Sequence, residues 1–341
     1  MSTVVRDELT NIKKPNQLVD SFGRAHTYLR ISVTDRCNLR CVYCMPAEGI
    51  KWKSNKLLLS FEEITRLAEI FVDMGISKIR LTGGEPLVRR ELEVLVAQLR
   101  KIQGLQTLAM TTNAMLLAEK AHALRSAGLD DLNISLDSFR RDRFLEITRR
   151  DDLDKVLAGI DQAFKANFRT LKLNVVVMAG FNDDEVMDFA DFANEKRVNV
   201  RFIEYMPFKD NGWTKEKVIT FSSLRAQIES KYKLYPIGTE PSAVAKDFAI
   251  ADGKGSISFI SSMSDSFCST CNRVRLTSDG SIKSCLFYPA ETSLRDAMRA
   301  GASDQDLREL ITRSMFLKPE AHPPAEEIAT SENRTMIEIG G

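Results

Sequence analysis

From Tyr28 to Met206, short runs rich in β-branched residues alternate with stretches of helix length, and this alternation restricts the chain to very few architectures. The expected strands are Tyr28–Thr34, Lys78–Thr82, Gln106–Thr111, Asp131–Asp137, Thr170–Met178 and Val200–Met206. Between them, Phe61–Met74, Arg90–Ile102, Leu116–Ala127, Leu153–Ala166 and Asp184–Lys196 carry helical periodicity. Ser60 with Glu63 forms a capping box for the first of these helices, and Gly75 is its stop. Six β/α units in series predict a parallel α/β fold, here a partial (β/α)6 TIM-like barrel.

The strands themselves add a constraint. Parallel strands covered on both faces normally read as continuous apolar runs. Here they alternate. Arg30, Ser32 and Thr34 share a face opposite Leu29, Ile31 and Val33; Lys78, Arg80 and Thr82 oppose Ile79 and Leu81. Asn133, Ser135 and Asp137 oppose Ile134 and Leu136, and Lys172 with Asn174 oppose Leu171 and Leu173. If helices cover the outside, the polar faces line the lumen. An unpaired buried ion costs on the order of several kcal/mol, so a cationic lumen implies a large polar, anionic ligand. An antiparallel sheet with one wet face would show the same alternation, but the helix-length connections weigh against it.

A chain of 341 residues accommodates one large domain and an appendage. After Trp213 the character changes: one helix (Phe221–Tyr232) is followed by hairpins around Asp252-Gly253 and Asp279-Gly280. The reading divides the chain into a polar N-terminal segment (1–22), the barrel (23–212), a C-terminal domain (213–317) and a tail (318–341) ending Gly340-Gly341. A net charge of +1 gives no reason to expect nucleic-acid or membrane binding. No apolar run is long enough to span a bilayer, and Met1 to Asn16 fits neither a signal nor a typical transit peptide. The expectation is a cytoplasmic protein whose cysteines stay reduced, so that ligation explains them better than disulfides.

All six cysteines fall into two groups, Cys37-x3-Cys41-x2-Cys44 and Cys268-x2-Cys271-x13-Cys285. The first spacing is also one stripe of a helix, so a buried apolar face is the plain alternative. Its neighbours Asp35, Arg36, Asn38 and Arg40, and its place directly after a strand, favour ligation. Three thiolates suit an iron–sulfur cluster with one open iron. Zinc would need a fourth ligand, which three histidines (His26, His122, His322) do not obviously supply. Around the second group, Arg273 and Arg275 project from one side of a strand; guanidinium forks there suit phosphate oxygens.

The first triad, with Tyr43 before its last cysteine, and Thr82-Gly83-Gly84-Glu85-Pro86 after the second strand resemble the radical S-adenosylmethionine superfamily. From about Phe22 to Gly341 the chain resembles, more narrowly, the GTP 3′,8-cyclase family (molybdenum cofactor biosynthesis protein A). The stretches Tyr28–Asn38, Lys78–Pro86 and Arg201–Met206, the second triad and the double-glycine tail carry that resemblance. It implies two [4Fe-4S] clusters, one on Cys37, Cys41 and Cys44 and one on Cys268, Cys271 and Cys285. It implies that Tyr43, Gly84, Ser135 and Met206 contact S-adenosylmethionine, and that Arg30, Arg80, Thr111, Lys172, Arg273 and Arg275 surround GTP. Arg273, Arg275, Gly340 and Gly341 are implied in catalysis. One departure is Ala114, where the family usually has Gly after Thr-Thr-Asn; a positive φ there would strain it.

The implied reaction is the first step of molybdenum cofactor biosynthesis. One-electron cleavage of S-adenosylmethionine yields a 5′-deoxyadenosyl radical, which takes hydrogen from C3′ of GTP before C3′ bonds to C8. The resemblance further implies a homodimer, an electron donor and a downstream enzyme that forms cyclic pyranopterin. Two other readings remain open: a radical enzyme that modifies peptides and carries an auxiliary cluster, and a zinc-stapled binding module.

Overall fold

The computed structural model describes residues 17–208, 211–238, 240–265, 267–289, 292–331 and 334–340. Most of the 1–22 segment and the expected site residue Gly341 lie outside the described residues. The barrel strands are β1 (Tyr28–Ser32), β2 (Lys78–Thr82), β3 (Thr107–Thr112), β4 (Asp131–Ser135), β5 (Thr170–Val177) and β6 (Asn199–Glu204). Helices α1 (Phe61–Asp73), α2 (Leu92–Arg100), α3 (Leu117–Ser126), α4 (Arg141–Thr148), α5 (Leu153–Ala166) and α6 (Val186–Glu195) connect them. α4 escaped the sequence reading because Arg-Asp-Arg-Phe-Leu-Glu-Ile-Thr offers too few apolar positions for a helical stripe.

Beyond the barrel come α7 (Phe221–Glu229), β7 (Leu234–Pro236), β8 (Lys246–Ile250), β9 (Ser256–Ile260), β10 (Arg273–Leu276), β11 (Ser281–Lys283) and β12 (Thr292–Ser293). Four helices end the chain: α8 (Leu294–Arg299), α9 (Asp304–Phe316), α10 (Ala325–Thr330) and α11 (Met336–Ile339). Among the described residues, all twelve strands form one sheet, in the order β12-β11-β10-β1-β2-β3-β4-β5-β6-β9-β8-β7. The six expected parallel strands become eight, because β10 adds in parallel beside β1 and β9 beside β6. The remaining strands add antiparallel, and the β8–β9 and β10–β11 hairpins turn at the two Asp-Gly pairs.

Curvature follows from which charges meet. Tyr28 on β1 and Arg201 on β6 lie within electrostatic reach. On a flat sheet, five strand spacings of about 4.8 Å would hold them some 24 Å apart. The sheet therefore curls into an open barrel. Its outward face (Leu29, Ile31, Ile79, Leu81, Leu132, Leu173) packs on α1 and α2 residues such as Ile64, Leu67, Phe71 and Leu95 in one core. Each such side chain stabilises by roughly 1.5–3 kcal/mol.

Ser60 caps α1 as expected: its Oγ accepts from Glu63 N at 3.1 Å, and the Glu63 carboxylate accepts from Ser60 N at 2.8 Å. The expected strands overrun β1, β4 and β6 by two residues each. Thr34, Asp137 and Met206 belong instead to loops at the C-terminal mouth of the barrel.

Candidate functional site

Cys37, Cys41 and Cys44 lie in the loop after β1, half-buried and close enough to influence one another. Burial pushes the Cys37 thiol up to about 12, with the nearby Glu85 adding to it. Cys41 and Cys44 are raised for the same first reason. Three such thiols become thiolates only with positive charge among them, which irons supply. Among the described residues no three His, Cys, Asp or Glu converge on a single-ion site. Three thiols without a fourth protein ligand suit a cluster with one open iron better than a structural zinc, which takes four.

The β2 loop holds this cysteine loop in place. Gly84 N donates to Thr34 O at 2.9 Å and Glu85 N to Arg36 O at 2.7 Å. A Cβ on Gly84 would lie 2.3 Å from Arg36 O. Glycine is thus required first by the cysteine loop, whatever approaches from the lumen. Glu85, missed from sequence, is buried and accepts from Leu87 N (2.9 Å), Thr112 Oγ1 (2.7 Å) and Asn113 N (2.6 Å). Burial raises its carboxyl to about 7. Asn113 in turn donates to Asn38 Oδ1 at 2.8 Å, tying the β3 loop to the triad. Tyr43 donates to Asp137 Oδ2 at 2.6 Å across the mouth. Ser135 ends β4 in register with Asn174, and Met206 lies just beyond β6.

Below this mouth the lumen is cationic. Register places Arg30 beside Arg80 on one side and Arg275 on the other. Arg80 donates to Tyr28 Oη at 2.6 Å and to Thr111 Oγ1 at 3.4 Å. Burial would raise the Tyr28 phenol, but Arg80, Arg30 and Lys78 outweigh it and bring it to about 7. Lys172 falls to about 7 through burial and the charges of Arg201, Arg80 and Lys78. Lys78 and Arg201 thus join the expected residues. Their signal was the same alternation, Lys78 with Arg80 and Arg201 with Asn199, read at β2 but not carried to β6. Arg275 Nη1, Asn133 Oδ1 and Asn174 Oδ1 are buried without a partner. Orphaned polar atoms of this kind point to a polar ligand.

The second triad sits at the other end. Cys271 lies just before β10, whose Arg273 is level with Tyr28, the first residue of β1. β11 runs back antiparallel and returns Cys285 to where it influences Cys268 and Cys271. The triads therefore lie beyond opposite ends of β1, a strand of five residues or about 16 Å. Burial opposes ionisation of Cys271, but Arg273 and Lys318 overcome it and bring the thiol to about 6. Lys318 donates to Cys271 Sγ at 3.3 Å, and Arg24 donates to Cys268 O at 2.8 Å. Neither was expected from sequence, because their partners are remote in the chain.

The tail reaches the lumen. Gly340 takes φ +82°, and a Cβ there would meet Thr82 Oγ1 at 2.7 Å and Ser32 Cβ at 2.8 Å. Ala114 takes φ +62° although fully buried. The left-handed region costs a non-glycine residue ~1–2 kcal/mol, and the unfolded-state freedom of glycine returns ~0.5–1 kcal/mol of that. Ala114→Gly is expected to stabilise the protein by at most about 1.5 kcal/mol, measurable by urea unfolding.

Residues 31–193 match the Radical SAM superfamily, and residues 198–324 match Molybdenum Cofactor Synthesis C. A GTP 3′,8-cyclase of Moorella thermoacetica is 43% identical, covering 94% of this chain and 99% of its own length. The mitochondrial GTP 3′,8-cyclase of Arabidopsis thaliana is 46% identical over 98% of this chain and 86% of its own length. Molybdenum cofactor biosynthesis protein 1 of Homo sapiens is 46% identical over 94% of this chain, which spans about half (51%) of that relative. Among solved structures, Streptococcus suis SuiB bound to S-adenosylmethionine shares the fold at 15% identity, TM-score 0.57, covering 84% of this chain and 68% of that one. No helix among the described residues is long and apolar enough to cross a membrane. With near-complete coverage by relatives of this identity, the chain belongs to the GTP 3′,8-cyclase family of the radical S-adenosylmethionine superfamily.

Proposed function

We propose that this chain converts GTP to 3′,8-cyclo-7,8-dihydro-GTP, the first step of molybdenum cofactor biosynthesis. The observation that carries this reading is the cationic lumen between two thiol triads toward opposite ends of β1. When bound, the first cluster and S-adenosylmethionine supply one-electron cleavage and hydrogen abstraction. Cys37, Cys41 and Cys44 hold that cluster; Tyr43, Gly84, Ser135 and Met206 place the cosubstrate at the mouth. Arg30, Arg80, Thr111 and Lys172, with Lys78 and Arg201, hold the triphosphate of GTP. Cation pairs of this number would repel in an empty lumen, and a polyanion reverses that cost.

Cys268, Cys271 and Cys285 hold the second cluster against the guanine, and Arg273 with Arg275 line the space between. Gly340 approaches the reacting end, where a side chain has no room, and Gly341, outside the described residues, shares its proposed catalytic role. The division at 22, 212 and 317, a homodimer, a cytoplasmic location, an electron donor and a downstream pyranopterin-forming enzyme belong to the same reading.

The test is anaerobic turnover with reconstituted clusters, dithionite, S-adenosylmethionine and GTP, following 5′-deoxyadenosine and guanine-derived product by chromatography. Formation that depends on GTP, with a new product, is expected. Equal formation without GTP would return the peptide-modifying reading, and none from fully loaded protein would overturn the assignment.

A further inference from the structure

One carboxylate joins three segments that are far apart in the chain. Asp279, in the β10–β11 turn, accepts from Lys53 Nζ at 2.5 Å and from Arg334 Nη1 at 3.1 and 3.2 Å; Thr277 Oγ1 donates to it at 2.5 Å. Lys53 belongs to the loop after the first cysteine triad. Its backbone N donates to Asp35 Oδ2 at 2.8 Å, two residues before Cys37. Arg334 stands two residues before α11, next to its cap Thr335. All three side chains of the cluster are mostly buried: Asp279 is 13% exposed, Lys53 21% and Arg334 29%.

Arg334 leads into a single rigid turn. Thr335 and Glu338 form a reciprocal capping box, Ile337 and Ile339 are buried, and Gly340 closes the turn at positive φ. Such a turn transmits position: fixing Arg334 fixes where Gly340 enters between Ser32 and Thr82. We propose that Asp279 is a positioning residue, an ionic latch that seats the C-terminal tail in the lumen and registers it against the loop of the first triad. The proposal rests on the cyclase reading only for its catalytic consequence; the seating itself does not.

Burial alone would raise the Asp279 carboxyl. Hydrogen bonds from Lys53 and Thr277 and the charge of Arg334 overcome that and hold it well below the usual carboxylate range. The latch is therefore closed throughout the neutral range; its burial leaves it little screened by salt, so substitution is what opens it. Partly buried charge-assisted hydrogen bonds of this kind are among the stronger local contacts a chain makes.

The experiment is hydrogen exchange measured by mass spectrometry on the full reconstituted protein, with Asp279→Asn, Arg334→Gln, Lys53→Met and the Asp279→Asn/Arg334→Gln double variant. Amides of 335–340 should lose protection by about ten- to a hundredfold in the Asp279 and Arg334 variants, the range for a lost charge-assisted hydrogen bond. The double variant should lose no more than either single change. Lys53→Met should loosen residues 51–57 and leave the tail protected, and Arg334→Lys should recover part of the protection. Unchanged tail protection in Arg334→Gln would overturn the latch. So would loss spread evenly over β1–β6, which would make Asp279 a general stabiliser of the fold. Exchange is read without substrate, so a failed turnover assay leaves this result standing by itself.

Discussion

Serine at Cys37, Cys41 or Cys44 is expected to reduce 5′-deoxyadenosine formation to background, at least a thousandfold. Serine at Cys268, Cys271 or Cys285 should leave iron at the first triad in place while abolishing the cyclised product. The separation follows from geometry. The two triads lie toward opposite ends of β1 and share no ligand, so losing one set leaves the other loop intact. Serine preserves size but replaces a soft thiolate with a hard, high-pKa hydroxyl that iron–sulfur clusters tolerate poorly. The measurement is 5′-deoxyadenosine and product from the same anaerobic reactions, alongside the iron content of each variant. Loss of first-triad iron in both sets would mean that the second triad supports the first site directly, contrary to this arrangement.

Gly84→Ala is the other change expected to be severe. Its methyl would lie 2.3 Å from Arg36 O and 2.6 Å from Arg36 C, and both belong to backbone that cannot swing aside as a flexible side chain could. Either the β2 loop or the cysteine loop must move, and the hydrogen bonds Gly84 N to Thr34 O and Glu85 N to Arg36 O are lost with it. The cost is that of overpacking plus two hydrogen bonds, on the order of 3–5 kcal/mol. It falls on the loop that carries Cys37. The variant is expected to fold, to retain iron at the second triad, and to hold less than about a tenth of the normal iron at the first, a ratio that ~1.4 kcal/mol already produces. Mössbauer or electron paramagnetic resonance spectra of the two sites would read this. Full occupancy of the first site would show that the loops can separate freely.

Much of this was legible in the chain because its signals are local. Alternation along β1, β2, β4 and β5 identified the lumen face, and the cysteine spacings located both triads. Less was legible where partners are distant. Glu85 looks like any carboxylate in a turn until Thr112 and Asn113 are seen to satisfy it. Lys318 and Arg24 acquire meaning only beside the Cys268–Cys271 turn, which they reach from opposite ends of the chain. The overrun of β1, β4 and β6 has a related cause. Their β-like sequence continues into the loops, but the last residues turn away to build the mouth. The strand pairing of β9 and β10 was also out of reach, since nothing in a short β-rich run declares which edge it will join.

That pairing sets a timetable. β1 is the first strand made, yet its neighbour β10 lies far along the chain: Asn272, just before β10, bonds Thr27 across a separation of 245 residues. During synthesis one edge of the barrel stays open until nearly the whole chain has emerged, and contacts of such separation close slowly. The growing chain presents Tyr28-Leu29-Arg30-Ile31-Ser32 as an unpaired edge throughout that interval. An arginine in that strand protects it, as charged edge residues discourage pairing with other chains.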